Sequence, residues 1–152
     1  MRGISFKLKN EYNNYLFKIF DNTEVYKFYW NICDSEIIYK DENNQLHTSI
    51  FDKDIIDGHD FLKRIKLDSY YLVYADIKAF NSTTHITNIV TYDDFINSNC
   101  EIALFCVDTT YVELYCKNKE ILNKIIVNCI RFGFSDLQIL THENDSRTQF
   151  SV

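Results

Sequence analysis

Asp76 is the one acidic residue in an apolar run, YYLVYADIKAF over residues 70–80. A carboxylate buried in such a strand is driven toward its neutral form unless a cation pairs with it. Acids perturbed in this way concentrate at functional sites. Asp108 closes a second apolar run, EIALFCV over 101–107. Where the two strands meet, Asp76 and Asp108 would make a pair for acid–base work or for cation binding. The plainer alternative is that Asp76 faces a helix end, a lysine or an edge open to water. The densest polar cluster, Thr141–Thr148, offers His142, Glu143 and Asp145 as metal ligands, with Arg147 beside them. Three ligands within four residues is not the spacing of a closed metal site, and a turn rich in Asn, Asp and Ser accounts for it equally well. No metal site is assigned, and no cofactor is implied.

The five cysteines (33, 100, 106, 116 and 129) form no C-x-x-C. A nucleophile paired with His47, His59, His85 or His142 is one reading of them, but a catalytic thiol needs an electropositive, partly exposed setting. Cys100, Cys106 and Cys116 lie in or beside apolar strands and Cys129 lies on a helical stripe, so they read as small core hydrophobes. No apolar leader follows Met1, and no apolar run approaches the ~18 residues of a membrane helix. Reduced thiols in a cytoplasm are the expectation.

Other chemistry is excluded by what is missing. The chain has no proline and only three glycines, Gly3, Gly58 and Gly133, none near another. Backbone cradles for phosphate need clustered glycines, so a P-loop and a dinucleotide fingerprint are both ruled out. The net charge is −6 with no run of Lys and Arg, which argues against a nucleic-acid partner. The charge is also concentrated. Over residues 34–60, Asp34, Glu36, Asp41, Glu42, Asp52, Asp54, Asp57 and Asp60 face only Lys40 and Lys53. That stretch either faces water or steers a basic protein partner, with Asp52, Asp54, Asp57 and Asp60 as the contact residues.

These residues need a scaffold, and the patterning supplies one. The chain has 152 residues, of which 46% are apolar and 16% aromatic, enough for one domain over 1–152 without metal or disulfide. Alternation predicts strands at 2–8, 26–33, 35–40, 45–51, 111–116 and 134–140. The apolar runs at 70–80 and 101–107 predict buried central strands. Helical spacing predicts a helix over 10–20 capped by Asn10, and a short one over 58–67 capped by Asp57 with an Asp60/Arg64 pair. A capping box at Thr91–Asp94 starts another, carrying Phe95 and Ile96. The best-defined helix spans 118–132, from the Asn118 cap to Gly133, with Ile121, Leu122, Ile125, Ile126, Cys129 and Ile130 as its apolar stripe. Adjacent strands without helices between them imply an α+β fold, with a mixed, mostly antiparallel sheet and helices mainly on one face.

The segments GISFKLKNEYNNYLFKIF, YYLVYADIKAF, TYDDFINSNCEIALFCVD, YVELYCKNKEIL and ENDSRTQFSV together resemble an uncharacterised bacterial family. It is a domain of unknown function met mainly in Gram-positive endospore formers. The resemblance covers essentially the whole chain and carries no catalytic residue over. It implies a bacterial cytoplasmic protein of this size. The leading functional expectation is a non-enzymatic protein-binding module, including an immunity-type inhibitor of a basic toxin. The alternatives are a small metal-dependent hydrolase and a small-molecule sensor with an aromatic-lined cavity. Oligomeric state stays open.

Overall fold

Eight strands, antiparallel throughout, make one sheet in the computed structural model, which describes all 152 residues. In chain order they are β1 (Gly3–Lys7), β2 (Tyr29–Lys40), β3 (Leu46–His47), β4 (Ile55–Asp57), β5 (Tyr71–Phe80), β6 (Cys100–Val107), β7 (Tyr111–Cys116) and β8 (Ser135–Leu140). The spatial order is β3-β2-β5-β6-β7-β1-β8, with β4 also on β2. The first strand therefore lies between the last two, and β5 and β6 are central. No parallel pair occurs, so the mixed sheet expected from sequence is antiparallel throughout.

Helices α1 (Tyr15–Phe20), α2 (Gly58–Ile65) and α4 (Lys119–Arg131) cover one face. Alternate strand residues feed the core beneath them, among them Ile4 and Phe6, Trp30 and Ile32, Ile77, Leu104 and Leu114. Trp30 stacks on Phe61 at 3.8 Å between ring centroids, and its indole N–H donates to the Val25 carbonyl at 3.0 Å. The opposite face is covered by α3 (Tyr92–Asn97), by Ile89, and by the C-terminal tail through Phe150. Phe150 is buried among Phe95, Phe105 and Tyr115, and its backbone N–H donates to the Val90 carbonyl at 2.9 Å. No helix is long and apolar enough to cross a membrane.

Local signals in the sequence explain most boundaries. The Asn118 side chain accepts from Glu120 and Ile121 N–H, and the Asp57 side chain from Asp60 N–H. Thr91 and Asp94 form the full capping box. Each such cap is worth about 1 kcal/mol. The N–H of Gly133 (φ +71°) bonds to Ile130 and that of Phe134 to Cys129, the paired closure of a Schellman end. Gly58 serves close approach instead: a Cβ there would stand 2.2 Å from the Tyr26 carbonyl oxygen.

Several expectations are corrected. The first helix begins at Tyr15, not Asn10, because Asn13 bridges to Tyr70. The Tyr70 hydroxyl then accepts from Leu16 and Phe17 N–H while donating to the Ile65 carbonyl. A side chain from across the fold thus does the capping. The strands expected at 26–33 and 35–40 are one long strand, β2, with register shifts after Ile32 and after Glu36. The strand expected at 45–51 shrinks to Leu46–His47. Arg64 pairs with Asp52 rather than Asp60, at 3.1 Å. Ile130 and Ile96 are exposed and contribute nothing to the core.

Candidate functional site

Asp76 and Lys78 are two apart on β5, so both point to the same face of the sheet. They form an ion pair with side chains only 5% and 4% exposed. The Lys78 ammonium also lies 3.6 Å from the Cys33 sulfur and 5.0 Å from the Phe105 ring centre. Asp34 stands directly opposite Asp76 on β2 and accepts from the Tyr74 hydroxyl at 3.1 Å. Cys33 falls where the register shifts, and the residue is exposed although its sulfur sits against the buried ammonium. One Asp76 oxygen takes the ammonium, the Cys33 thiol also donates to the carboxylate, and no buried side-chain polar atom in the protein lacks a partner.

Beside the pair lies a cleft of about 420 Å³ walled by Asn88–Val90 and the tail at Gln149–Val152. Cys33 also lines a second cleft of about 430 Å³ beside Asp54, Ile86 and Ile89, and a third of about 330 Å³ beside Asp34, Asp52 and Asp54. All three clefts share Cys33 in their lining. The third cleft is a window in the sheet edge. Ile32 N–H bonds to Asp54 and Ile37 N–H to Thr48, but no backbone hydrogen bond joins residues 33–36 to 49–53.

The residues singled out from sequence scatter more than expected. Asp108 is exposed in the turn between β6 and β7, at φ +52°. Asp76 faces Phe105 in register, so Asp108 lies three residues further on, roughly 10 Å along the strand. The two acids make no pair. Asp145 accepts from Arg2 at 3.2 Å, the Tyr115 hydroxyl at 2.8 Å and the Arg147 N–H at 3.1 Å. His142 bonds Arg2 at 2.9 Å, and the Glu143 carboxylate is exposed and unpaired. Arg147 pairs with Glu113, lies over Phe105, and donates to the Gln149 and Ser151 carbonyls. Asn144 accepts from Thr141 N–H at 2.7 Å and donates to the Ile139 carbonyl at 2.9 Å, filling the open edge of β8 as a neighbouring strand would. The 141–148 cluster therefore fastens the tail and shields an edge. No group of three His, Cys, Asp or Glu side chains is placed to hold a metal ion.

A family model described as "Protein of unknown function (DUF2691)" matches residues 1–151. The chain belongs to the DUF2691 family. It is similar to "Uncharacterized protein YncE" of Bacillus subtilis (strain 168), with 33% identity over 151 residues and 99% of each chain covered. No solved structure matches it. The match takes in every element of the DUF2691 fold described above, from β1 to the buried Phe150.

The sequence pointed to Asp76 and missed its partners. The signal for Lys78 is its i+2 spacing from Asp76 within an apolar strand. Cys33 has no such signal, because its exposure comes from an irregular register. Desolvation around the Cys33 sulfur pushes its thiol up, with Lys78 opposing. Burial pushes Cys100, Cys106, Cys116 and Cys129 further, to about 12. Thiol titration at pH 8 should therefore count one reactive group in the native DUF2691 chain, slower than free cysteine, and five in denaturant. The linkage has a definite sign. The fold holds these four thiols neutral, so their contribution is complete below their ordinary value of 9.0 and is lost as pH rises toward about 12. Urea midpoints should hold steady up to pH 9 and decline above it. A midpoint unchanged at pH 11 would contradict this account.

Proposed function

We propose that this protein is a non-enzymatic binding module that docks a basic protein along its acidic sheet edge. An immunity-type inhibitor of a basic toxin is the form that best suits a small acidic domain of this kind. The observation that supports the reading most is where the acids fall. Residues 34–60 fold into β2, β3, β4 and the start of α2, all at one end of the sheet. Inside the molecule only Arg64, on Asp52, and His47, on Asp41, pair with those eight carboxylates. Asp54, Asp57 and Asp60 are exposed and have no cation. An unneutralised field of one sign speeds encounter with a partner of the other sign and rejects like-charged ones.

The other readings find less support. The aromatic residues that a sensor would use to line a cavity pack on each other, as in the Tyr92, Phe95, Tyr115 and Phe150 cluster. Asp108 and Asp76 do not converge, and Asp76 is already paired with Lys78.

The immobilised protein should retain basic proteins from a bacterial lysate at low salt and release them as ionic strength rises. Changing Asp52, Asp54, Asp57 and Asp60 together to Asn should abolish capture without lowering the melting temperature, since Asn keeps the cap at position 57. If the quadruple variant captures the same proteins, or the captured proteins are not basic, the edge is not the docking surface.

A further inference from the structure

We infer that Cys33 and Lys78 form an oxidation-sensing couple: hydrogen peroxide converts the Cys33 thiol to a sulfenic acid, and the Lys78 amine captures it as a sulfur–nitrogen cross-link between β2 and β5. The inference stands apart from the protein-binding reading. It rests on geometry. The Lys78 nitrogen lies 3.6 Å from the Cys33 sulfur, and its side chain, only 4% exposed, is held there. The Cys33 thiol donates to Asp76, which also takes the Lys78 ammonium. Asp76 can therefore receive the thiol proton while the ammonium faces the sulfur anion. A nucleophile, a base and a group that orients the base are thus in contact. The sulfur is also within reach of a small oxidant. Cys33 is the exposed cysteine among five, and clefts of about 420 and 430 Å³ open beside it.

The first step attaches one peroxide oxygen to sulfur. The O–O bond breaks, sulfur loses two electrons, and the other oxygen leaves as water. Lys78 then passes a proton to Asp76, and the free amine attacks the sulfur. The S–O bond breaks, and the departing hydroxide takes a second proton from nitrogen and leaves as water. An S–N bond remains, and Asp76 is neutral. Both charges of the buried pair disappear together, so the cross-link strands no ion, and burial favours the neutral carboxyl. Two thiols of a reductant reverse the step, returning hydrogen to sulfur and nitrogen and leaving as a disulfide. A sulfenic acid commonly condenses with a second thiol instead. Here the other four cysteines are buried. Cys100, close enough to Cys33 for their charges to interact, turns its thiol to the Ile102 carbonyl at 3.3 Å. The amine in contact has the advantage of position.

The test treats the native full chain with hydrogen peroxide, stops the reaction with catalase, blocks free thiols in denaturant and maps the digest by mass spectrometry. The Cys33 and Lys78 peptides should be joined, lighter than their sum by two hydrogen atoms, and dithiothreitol should separate them. Lys78→Arg keeps a cation beside Asp76 but cannot release a free amine. It should give no joined peptides, and its Cys33 sulfenic acid should be labelled by dimedone about tenfold or more above wild type. Asp76→Leu with Lys78→Met removes both charges and should behave the same way, so the test survives if the arginine variant folds poorly. The inference is overturned if wild-type Cys33 stays a thiol or runs on to sulfinic acid with Lys78 unlinked. It is equally overturned if Cys33 is joined to Cys100, or if neither variant raises dimedone labelling.

Discussion

Alanine at Asp76 should cost about 3–5 kcal/mol of folding free energy, because it leaves the Lys78 ammonium buried with no counter-ion. Only the Cys33 sulfur and the Phe105 ring would remain beside it, and neither neutralises a charge. Replacing both partners at once, Asp76→Leu with Lys78→Met, removes the stranded charge together with the pair. That double variant should be near wild-type stability or above it, since desolvating two ions takes back much of what their attraction gives. Urea unfolding of the four proteins completes the cycle. If the double variant is as unstable as Asp76→Ala, the cost lies in packing and the ion pair is not the cause.

Phe150→Ala should be comparably severe, at about 3–5 kcal/mol, and should lower the melting temperature by on the order of 10 °C. Phe150 is 1% exposed and its ring lies 4.6 Å from Tyr115, 5.3 Å from Phe105 and 5.6 Å from Phe95, centre to centre. Its loss would empty the second core and loosen the tail that Arg147 holds down. Enhanced binding of a hydrophobic dye should accompany the change. A loss below about 1 kcal/mol would mean that the tail only rests on the sheet and is not part of its interior.

What could be read from sequence was whatever depends on near neighbours. Asn118, Asp57 and the Thr91–Asp94 box bond to groups two or three residues away, so their roles are written locally. The start of α1 is not written locally, because its cap, the Tyr70 hydroxyl, arrives from 54 residues further along the chain. Arg64 was assigned to Asp60 by helical spacing, but Asp52, folded back beside α2, takes it instead. Ile130 fits an apolar stripe in the sequence, and only the packed sheet shows that its side of α4 meets nothing. The candidate site divides in the same way. Asp76 stands out against its apolar strand, whereas the clefts beside it depend on a register shift, a departing loop and a tail that no local pattern encodes.

The position of β1 between β7 and β8 also orders events during synthesis. β1 can pair with β7 only once residues 111–116 have been translated, and with β8 only after residues 135–140. Ile4 and Phe6 must therefore wait for both neighbours through most of translation, and closing the sheet brings Gly3 against Leu140 across a long loop. For a protein of this topology the hazardous interval for self-association falls before release, and a chaperone acting there should engage the amino-terminal segment first.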